Sequence, residues 1–223
     1  MLLSLSLISA TADPERWSRL ARVTFQTSTL IYSSLWIAIR YVSGVHRFSD
    51  FIDRLLARPE LLSHLQPKEP LFWVLSDKFR AMDDSALTDG KPIQDPAQFT
   101  LVRGAVLYAL DELDAAHRIF QEDHSDLGSY WHGMMHRREG DFENARYWFW
   151  RAGRLPAFQE MHEASRSVSP TMARQEGWDP YLLTGQCEQV RFGAHELTQE
   201  CQRLLRVEFD ALLEHSWKKA LGE

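Results

Sequence analysis

The chain lacks several features that mark common protein classes. Only two of its 223 residues are cysteine, so neither a disulfide framework nor a four-cysteine zinc site can be built. Its net charge is -6 at neutral pH, which argues against a nucleic-acid partner because no basic field is present. A glycine-rich phosphate loop and a Gly-x-Ser-x-Gly sequence are also missing. Neither a nucleotide-binding loop nor an α/β-hydrolase nucleophile is therefore expected.

Long hydrophobic runs are missing as well. The apolar segment 28–39 ends at Arg40 and is shorter than the ~20 residues that a membrane span requires. The first twelve residues, MLLSLSLISATA, resemble a secretory signal, but no lysine or arginine precedes their apolar run. Such a basic residue is typical of signal peptides. We therefore expect a docked or frayed N-terminal segment, and no membrane partner.

The chain is rich in large aromatic side chains. Eight tryptophans and twelve phenylalanines predict a core filled with rings. The two cysteines, Cys187 and Cys201, are interpreted as buried thiols in a reducing compartment. A cytoplasmic location follows from that interpretation.

Helix signals occur along the chain, and no alternating strand pattern does. The sequence predicts an all-α fold of antiparallel helical hairpins packed with flanking helices. We divide it into an N-terminal helical region (1–82), a loop or linker rich in proline and polar residues (83–96), and a region with capping helices at its C-terminal end (97–223). These parts could also form one continuous domain.

Several helices have recognisable starts. Residues 14–43 are predicted to form one long helix after a capping aspartate. Ser49 is expected to cap the next helix, and Pro70 to open one that carries Val74 and Phe79 on one apolar side. Later starts are predicted at Ser125 and at Asp179-Pro180, and a long amphipathic helix is expected at the C-terminal end.

The middle of the chain matches itself when it is shifted by 29 residues. The identical positions are Gly104 and Gly133, Ala116 and Ala145, and Phe120 and Phe149. Each copy has a small residue in a first helix, and an alanine and an aromatic residue four apart in a second helix. Small residues allow two helices to approach closely, while aromatic residues fill the space between neighbouring hairpins.

Residues 97–156 resemble a tetratricopeptide repeat, although their period is 29 rather than about 34 residues. The resemblance rests on GDFENARYWFWRAGRLP, which is similar to the second helix of that motif. Its signature positions are Gly140, Asp141, Phe142, Ala145, Phe149, Ala152 and Pro156. The resemblance implies stacked helical hairpins with a surface for a protein or peptide partner. The stretch HGMMHRREGDFENARYW is also similar to a segment of uncharacterised proteins, which implies no activity.

A pair of histidines flanks Gly133 in the first helix of the second copy. In a helix over 126–139, His132, His136 and Glu139 lie on one stripe, nearly opposite the apolar stripe. They would face solvent, a groove, or another helix with polar partners. A solvated or hydrogen-bonded polar face is the favoured interpretation of this stripe.

The alternative for the histidine pair is a metal site. Two imidazoles and a carboxylate suit zinc, nickel or iron. The zincin motif is excluded because Gly133 stands where its catalytic glutamate would be. The segment HGMMHR resembles a helix of DinB-type metal-binding bundles. This resemblance implies a third histidine ligand from elsewhere in the chain, such as His46 or His64. We assign no role to the remaining histidines.

A second stripe contains Glu143, Tyr147, Trp150 and Arg154. Tyrosine, tryptophan and arginine dominate binding hot spots, but packing against a predicted helix over 157–166 is the favoured interpretation. Nearby arginines alternate with acidic residues, which predicts salt-bridged surface rather than a phosphate-binding site.

The function favoured by the sequence is a non-enzymatic scaffold that binds a protein or peptide without a cofactor. Its predicted binding surface consists of His132, His136, Arg137, Tyr147, Trp150 and Arg154. The alternative is a metal-dependent, hydrolase-like enzyme that uses His132 and His136 as ligands of a divalent transition metal, with Glu139 as ligand or general base. A third possibility is a homodimer. A further ligand about 4 to 5 Å from both imidazoles would favour the enzyme.

Overall fold

The computed structural model describes residues 48–70 and 72–223. Within these residues, helices and turns are connected by short loops and no strand occurs. The prediction of an all-α fold is therefore confirmed. The predicted helix over 14–43 lies outside the described residues.

The helices within the described residues are numbered here in chain order. They are α1 (Asp50–Leu56), α2 (Trp73–Arg80), α3 (Asp84–Leu87), α4 (Pro96–Ala109), α5 (Leu113–Phe120), α6 (Asp126–Glu139), α7 (Phe142–Ala152), α8 (Phe158–Ser165), α9 (Pro170–Ala173), α10 (Pro180–Arg191) and α11 (Thr198–Leu221). A 3-10 turn, His195–Leu197, precedes α11. The described residues belong to one compact unit, and the predicted linker 83–96 contains α3.

Short polar side chains start many of these helices. The hydroxyl of Ser49 accepts a hydrogen bond from the backbone of α1, and that of Ser125 accepts one from α6. Asp95 and Asp179 each accept two backbone hydrogen bonds at starts that carry proline in the first turn. Each cap satisfies donors that have no partner within the helix. The predicted starts at Ser49, Ser125 and Asp179 are confirmed.

Helix α2 differs from the prediction. It begins at Trp73, three residues after Pro70. Val74 is 58% exposed, whereas Phe79 is buried. The reason is that five residues of helix turn the side chain through about 500°, which leaves Val74 roughly 140° from Phe79. The prediction that both lie on one apolar side is therefore wrong.

Helix α6 lies at the centre of the described unit. It contacts α4, α5 and α7, and all residues from Leu127 to Arg138 are buried. The indole of Trp131 stacks on Phe120 and meets Phe209 edge to face, with ring centroids 5.6 and 5.8 Å apart. Its Nε1 donates a hydrogen bond to the Ser216 hydroxyl over 3.1 Å. Large rings therefore fill the core, as predicted.

The helix pairs α4–α5 and α6–α7 have equivalent close contacts at a spacing of 29 residues. A Cβ atom on Gly104 would lie 2.5 Å from the ring of Phe120. A Cβ atom on Gly133 would lie 2.8 Å from the ring of Phe149. In each pair the missing side chain lets the second helix place its aromatic ring directly against the first helix.

The turns between these helices are equivalent as well. Asp111 ends the first turn with φ 64°, and Gly140 occupies the equivalent position in the second with φ 84°. After each of them, a backbone amide donates a hydrogen bond back to the preceding helix: Glu112 to Leu107 over 3.0 Å, and Asp141 to His136 over 2.9 Å. This left-handed turn satisfies carbonyl groups at a helix end.

Candidate functional site

Three histidines from two helices meet on one side of α6. His132 and His136 lie on consecutive turns of α6, and His117 lies on α5, which packs against them. The ring centroids are 4.8 Å apart for His117 and His132, 5.0 Å for His117 and His136, and 4.6 Å for His132 and His136. One nitrogen from each ring lies within 4.8 Å of the other two. We call these three residues the histidine cluster.

His132 is the most enclosed member of the histidine cluster. It is 3% exposed, and neither ring nitrogen has a hydrogen-bond partner among the described residues. The indole of Trp148 stacks on it with ring centroids 4.0 Å apart. Burial, with smaller contributions from His136 and His117, lowers the pKa of His132 from 6.5 to about 3. The imidazole is therefore neutral near pH 7 and keeps a lone pair that can bind a metal ion.

His117 is the partly exposed member. Burial and, to a smaller extent, the neighbouring His136 lower the pKa of His117 below 6.5. The side chains of His117 and Glu139 are both about a third exposed. The histidine cluster is therefore partly accessible to solvent beside these two residues. Two histidines of the three therefore favour the neutral form that a metal ligand needs.

Two polar side chains hold the imidazole of His136. An oxygen of Glu139 lies 3.0 Å from its Nδ1 atom, and the Asn144 amide nitrogen lies 3.2 Å from its Nε2 atom. The other oxygen of Glu139 lies 3.9 Å from the Nδ1 atom of His117. Glu139 is thus adjacent to two members of the histidine cluster.

The histidine cluster has the chemistry of a transition-metal site. Two ring nitrogens bound tetrahedrally to one metal at ~2.1 Å lie about 3.4 Å apart. The nitrogens of the histidine cluster, within 4.8 Å of one another, would have to approach each other somewhat on binding. Side-chain rotation on two facing helices can supply this movement, since it requires no change of backbone.

His117 is the residue that sequence reasoning missed. Of the two third ligands considered, His46 lies outside the described residues. His64 lies beside Asp111, with its Nδ1 atom 3.9 Å from a carboxylate oxygen. The signal that could have indicated His117 is the short connection between α5 and α6, because helices joined by short loops usually pack on one another.

Three of the six residues of the predicted binding surface are buried. His132 and His136 are 3% and 5% exposed, and Arg137 is 1% exposed. Instead of reaching the surface, Arg137 forms a two-pronged ion pair with the buried Glu208. Glu208 also accepts a hydrogen bond from Tyr130 over 2.7 Å. Arg137 is buried because the charge of Glu208, on α11, neutralises it inside the core.

The remaining three residues of that set are exposed. Tyr147 is 49% exposed, Trp150 is 71% exposed, and Arg154 is exposed. The two rings are 6.2 Å apart on the outer face of α7. The prediction that this stripe packs against the following helix is therefore wrong, because Phe158 and Met161 of α8 are themselves buried and turn their apolar side elsewhere.

Arg154 lines a cleft. The cleft has a volume of about 530 Å³ and is lined by residues that include Phe158, His162 and Trp178. One lining residue is held in place, since the Trp178 indole donates a hydrogen bond to the buried Tyr130 hydroxyl over 2.7 Å.

The two cysteines are buried thiols, as predicted. The hydrogen bond with Cys187 and burial both raise the pKa of the Cys201 thiol. A buried thiol of raised pKa is a poor nucleophile.

No family model, curated protein or solved structure matches the chain. The tetratricopeptide resemblance therefore stays a prediction. Among the described residues, no helix combines the length and apolar character needed to cross a bilayer.

Proposed function

We propose that the protein binds a divalent transition-metal ion through His117, His132 and His136. The observation that carries this proposal is the position of His117, which adds a third imidazole to the histidine pair of α6. His132 supports it, because a buried imidazole with neither nitrogen hydrogen-bonded is unfavourable. Coordination to a metal ion would satisfy one of these nitrogens.

The ligand set favours borderline transition metals. Imidazole nitrogens suit zinc, iron, nickel and copper, whereas magnesium and calcium prefer oxygen ligands. Zinc, nickel and iron are the candidates. Because the histidine cluster contains two imidazoles of lowered pKa, metal binding would compete little with protons near pH 7.

Three histidine ligands support a catalytic rather than a purely structural role. Structural zinc sites usually have four protein ligands, while catalytic sites keep one position for water or substrate. A metal ion in such a site lowers the pKa of bound water and supplies hydroxide for hydrolysis. We therefore place the metal-dependent, hydrolase-like alternative ahead of the interaction scaffold that the sequence favoured.

The test is a calorimetric titration of tag-free apo-protein with zinc chloride. The wild type is expected to bind about one ion per chain, and His117→Ala to bind at least roughly tenfold more weakly, since one of three ligand bonds is lost. His117 is the ligand to change because it is partly exposed, so the variant should fold. The matched control is His124→Ala, which removes an exposed histidine outside the cluster. Equal zinc affinity in all three proteins would refute the proposal.

The second candidate function is the interaction scaffold, now restricted to the exposed face of α7. The observation that favours it is the 71% exposure of Trp150 beside Tyr147. Solvent-exposed tryptophan and tyrosine on a rigid helix are typical anchors for a protein or peptide partner. The exposed guanidinium of Arg154 suits an acidic group on such a partner.

Sedimentation of the purified protein in the analytical ultracentrifuge distinguishes the interaction scaffold from the homodimer. A concentration-dependent increase in mass that is lost in Trp150→Ala would indicate that the face binds a second copy of the chain. If the mass stays that of a monomer at every concentration, the exposed face of α7 is expected to bind a different partner. In that case, peptides with acidic residues should bind the wild type more tightly than peptides without them.

A further inference from the structure

We infer that Glu139 is a positioning residue of the proposed metal site, which holds His136 so that its Nε2 atom is the metal ligand. This inference rests on the proposed function. It gives Glu139 a role different from the ligand or general base that the sequence suggested. The residues that carry it are His136, Glu139, Asn144 and His117.

The first step is the tautomer of His136. A carboxylate only accepts hydrogen bonds, so the Nδ1 atom of His136, 3.0 Å from Glu139, must carry the proton. In a neutral imidazole the Nε2 atom then has the lone pair. The Asn144 amide nitrogen, 3.2 Å away, is a donor and fits a lone pair at that atom. Both contacts therefore indicate the same tautomer.

The second step is the position of Glu139 relative to the other histidines. One of its oxygens accepts a hydrogen bond from the Nδ1 atom of His136, and the other lies 3.9 Å from the Nδ1 atom of His117. Both distances are to Nδ1 atoms, so the carboxylate contacts the two rings on the side of Nδ1. Metal-binding histidines commonly donate their second N–H to a carboxylate in this way, which fixes the ring and raises its basicity.

The third step concerns Asn144. Its amide occupies the lone pair of His136 that a metal ion would need. A metal ion must therefore displace this hydrogen bond. The Asn144 side chain is only partly buried and can rotate away, so His136 is the ligand that changes partner on binding.

The experiment combines two readouts on Glu139→Gln, which keeps the shape and removes the charge. The first is ¹⁵N NMR of the His136 ring in the apo-protein, which requires no metal. The wild type is expected to carry its proton on Nδ1, and the variant to show a mixture of tautomers. The second readout is titration with cobalt(II), followed by its visible absorption. We expect a loss of affinity of about 10- to 100-fold with an unchanged absorption spectrum.

The matched control is Glu143→Gln. Glu143 carries the same charge on the neighbouring helix, but it pairs with Arg146 on the surface. This control should leave the tautomer and cobalt affinity unchanged, which separates positioning from a general loss of negative charge.

Each other outcome would overturn the inference. A changed cobalt spectrum in Glu139→Gln would make Glu139 a ligand, and unchanged affinity would remove its role. Protonation of His136 at Nε2 in the wild type would contradict the tautomer directly. If the wild type binds no cobalt while the tautomer is as expected, the proposed function fails and the positioning role fails with it, although the hydrogen bond to Glu139 remains.

Discussion

Replacing Gly133 by alanine tests how closely α6 and α7 approach. A Cβ atom at this position would lie 2.8 Å from two ring carbons of Phe149 and 3.2 Å from the Ala145 carbonyl oxygen. Phe149 cannot move aside easily, because the Tyr130 ring and the Arg137 guanidinium lie 4.9 and 5.3 Å from its ring centroid. The carbonyl belongs to the backbone of α7, so relief would require the whole helix to shift.

The expected magnitude follows from two opposing effects. Overpacking a well-filled core costs about 1–3 kcal/mol, while replacing glycine by alanine inside a helix gains up to about 1 kcal/mol. The matched control is Gly185→Ala in α10, where nothing apart from the adjacent residues and the local helix backbone lies within 4 Å of the added methyl group. Because the helix-propensity gain is common to both variants, their difference isolates the packing cost.

The assay is urea unfolding followed by circular dichroism, with the free energy of unfolding extrapolated to water. We expect Gly185→Ala to be as stable as the wild type or more stable, and Gly133→Ala to be about 1–3 kcal/mol less stable than Gly185→Ala. Equal stability of the two variants would refute the close approach of α6 and α7 at Gly133.

Three further predictions concern charge, pH and the exposed face. Glu208→Ala should lower the free energy of unfolding by about 3–5 kcal/mol because it leaves a buried arginine unpaired. Glu112→Ala breaks the more exposed pair with Arg80 and should lower it by at most about 1 kcal/mol. Urea unfolding measures both losses, and equal losses would contradict the burial of the pair between Arg137 and Glu208. The pKa of His132 is about 3 in the folded state and 6.5 in the unfolded state, so the stability of the apo-protein should be independent of this group above pH 6.5. It should fall as the pH drops towards 3, by up to ~1.4 kcal/mol per pH unit, and His132→Gln should show a shallower fall. Trp150→Ala should change the free energy of unfolding by no more than about 0.5 kcal/mol, and a larger loss in thermal or urea unfolding would show that the indole is packed.

The helix positions were predictable because their signals are local. Ser125 and Asp179 cap the helices that follow them, and proline at the first turn of α10 has no amide that needs a partner. The 29-residue repeat marked Gly133 and Phe149 as equivalent to Gly104 and Phe120, but it predicted a ring between neighbouring hairpins, whereas Phe149 packs against Gly133 within one helix pair. Exposure was less predictable. Helical spacing alone separates Val74 from Phe79, whereas the exposure of Trp150 depends on which neighbouring helix covers it, and no local pattern contains that information.

In the candidate site, too, local spacing was predictable from the sequence and contacts between helices were not. Helical spacing correctly put His132 and His136 on one side of α6, but it could not show that α5 covers that side with His117. Arg137 appeared to belong to a surface cluster of arginines, because its partner Glu208 is 71 residues further along the chain. Contacts between distant segments, rather than local propensity, decide which polar side chains are buried.

The metal content of the purified protein is the most direct test of metal binding by the histidine cluster. Tag-free wild-type protein, His117→Ala and the double variant His132→Ala/His136→Ala would be analysed for zinc, nickel and iron, with circular dichroism to check folding. We expect about one metal ion per wild-type chain, less in His117→Ala, and none in the double variant. A wild type that contains no metal and takes up none from a buffer with added zinc would contradict this expectation.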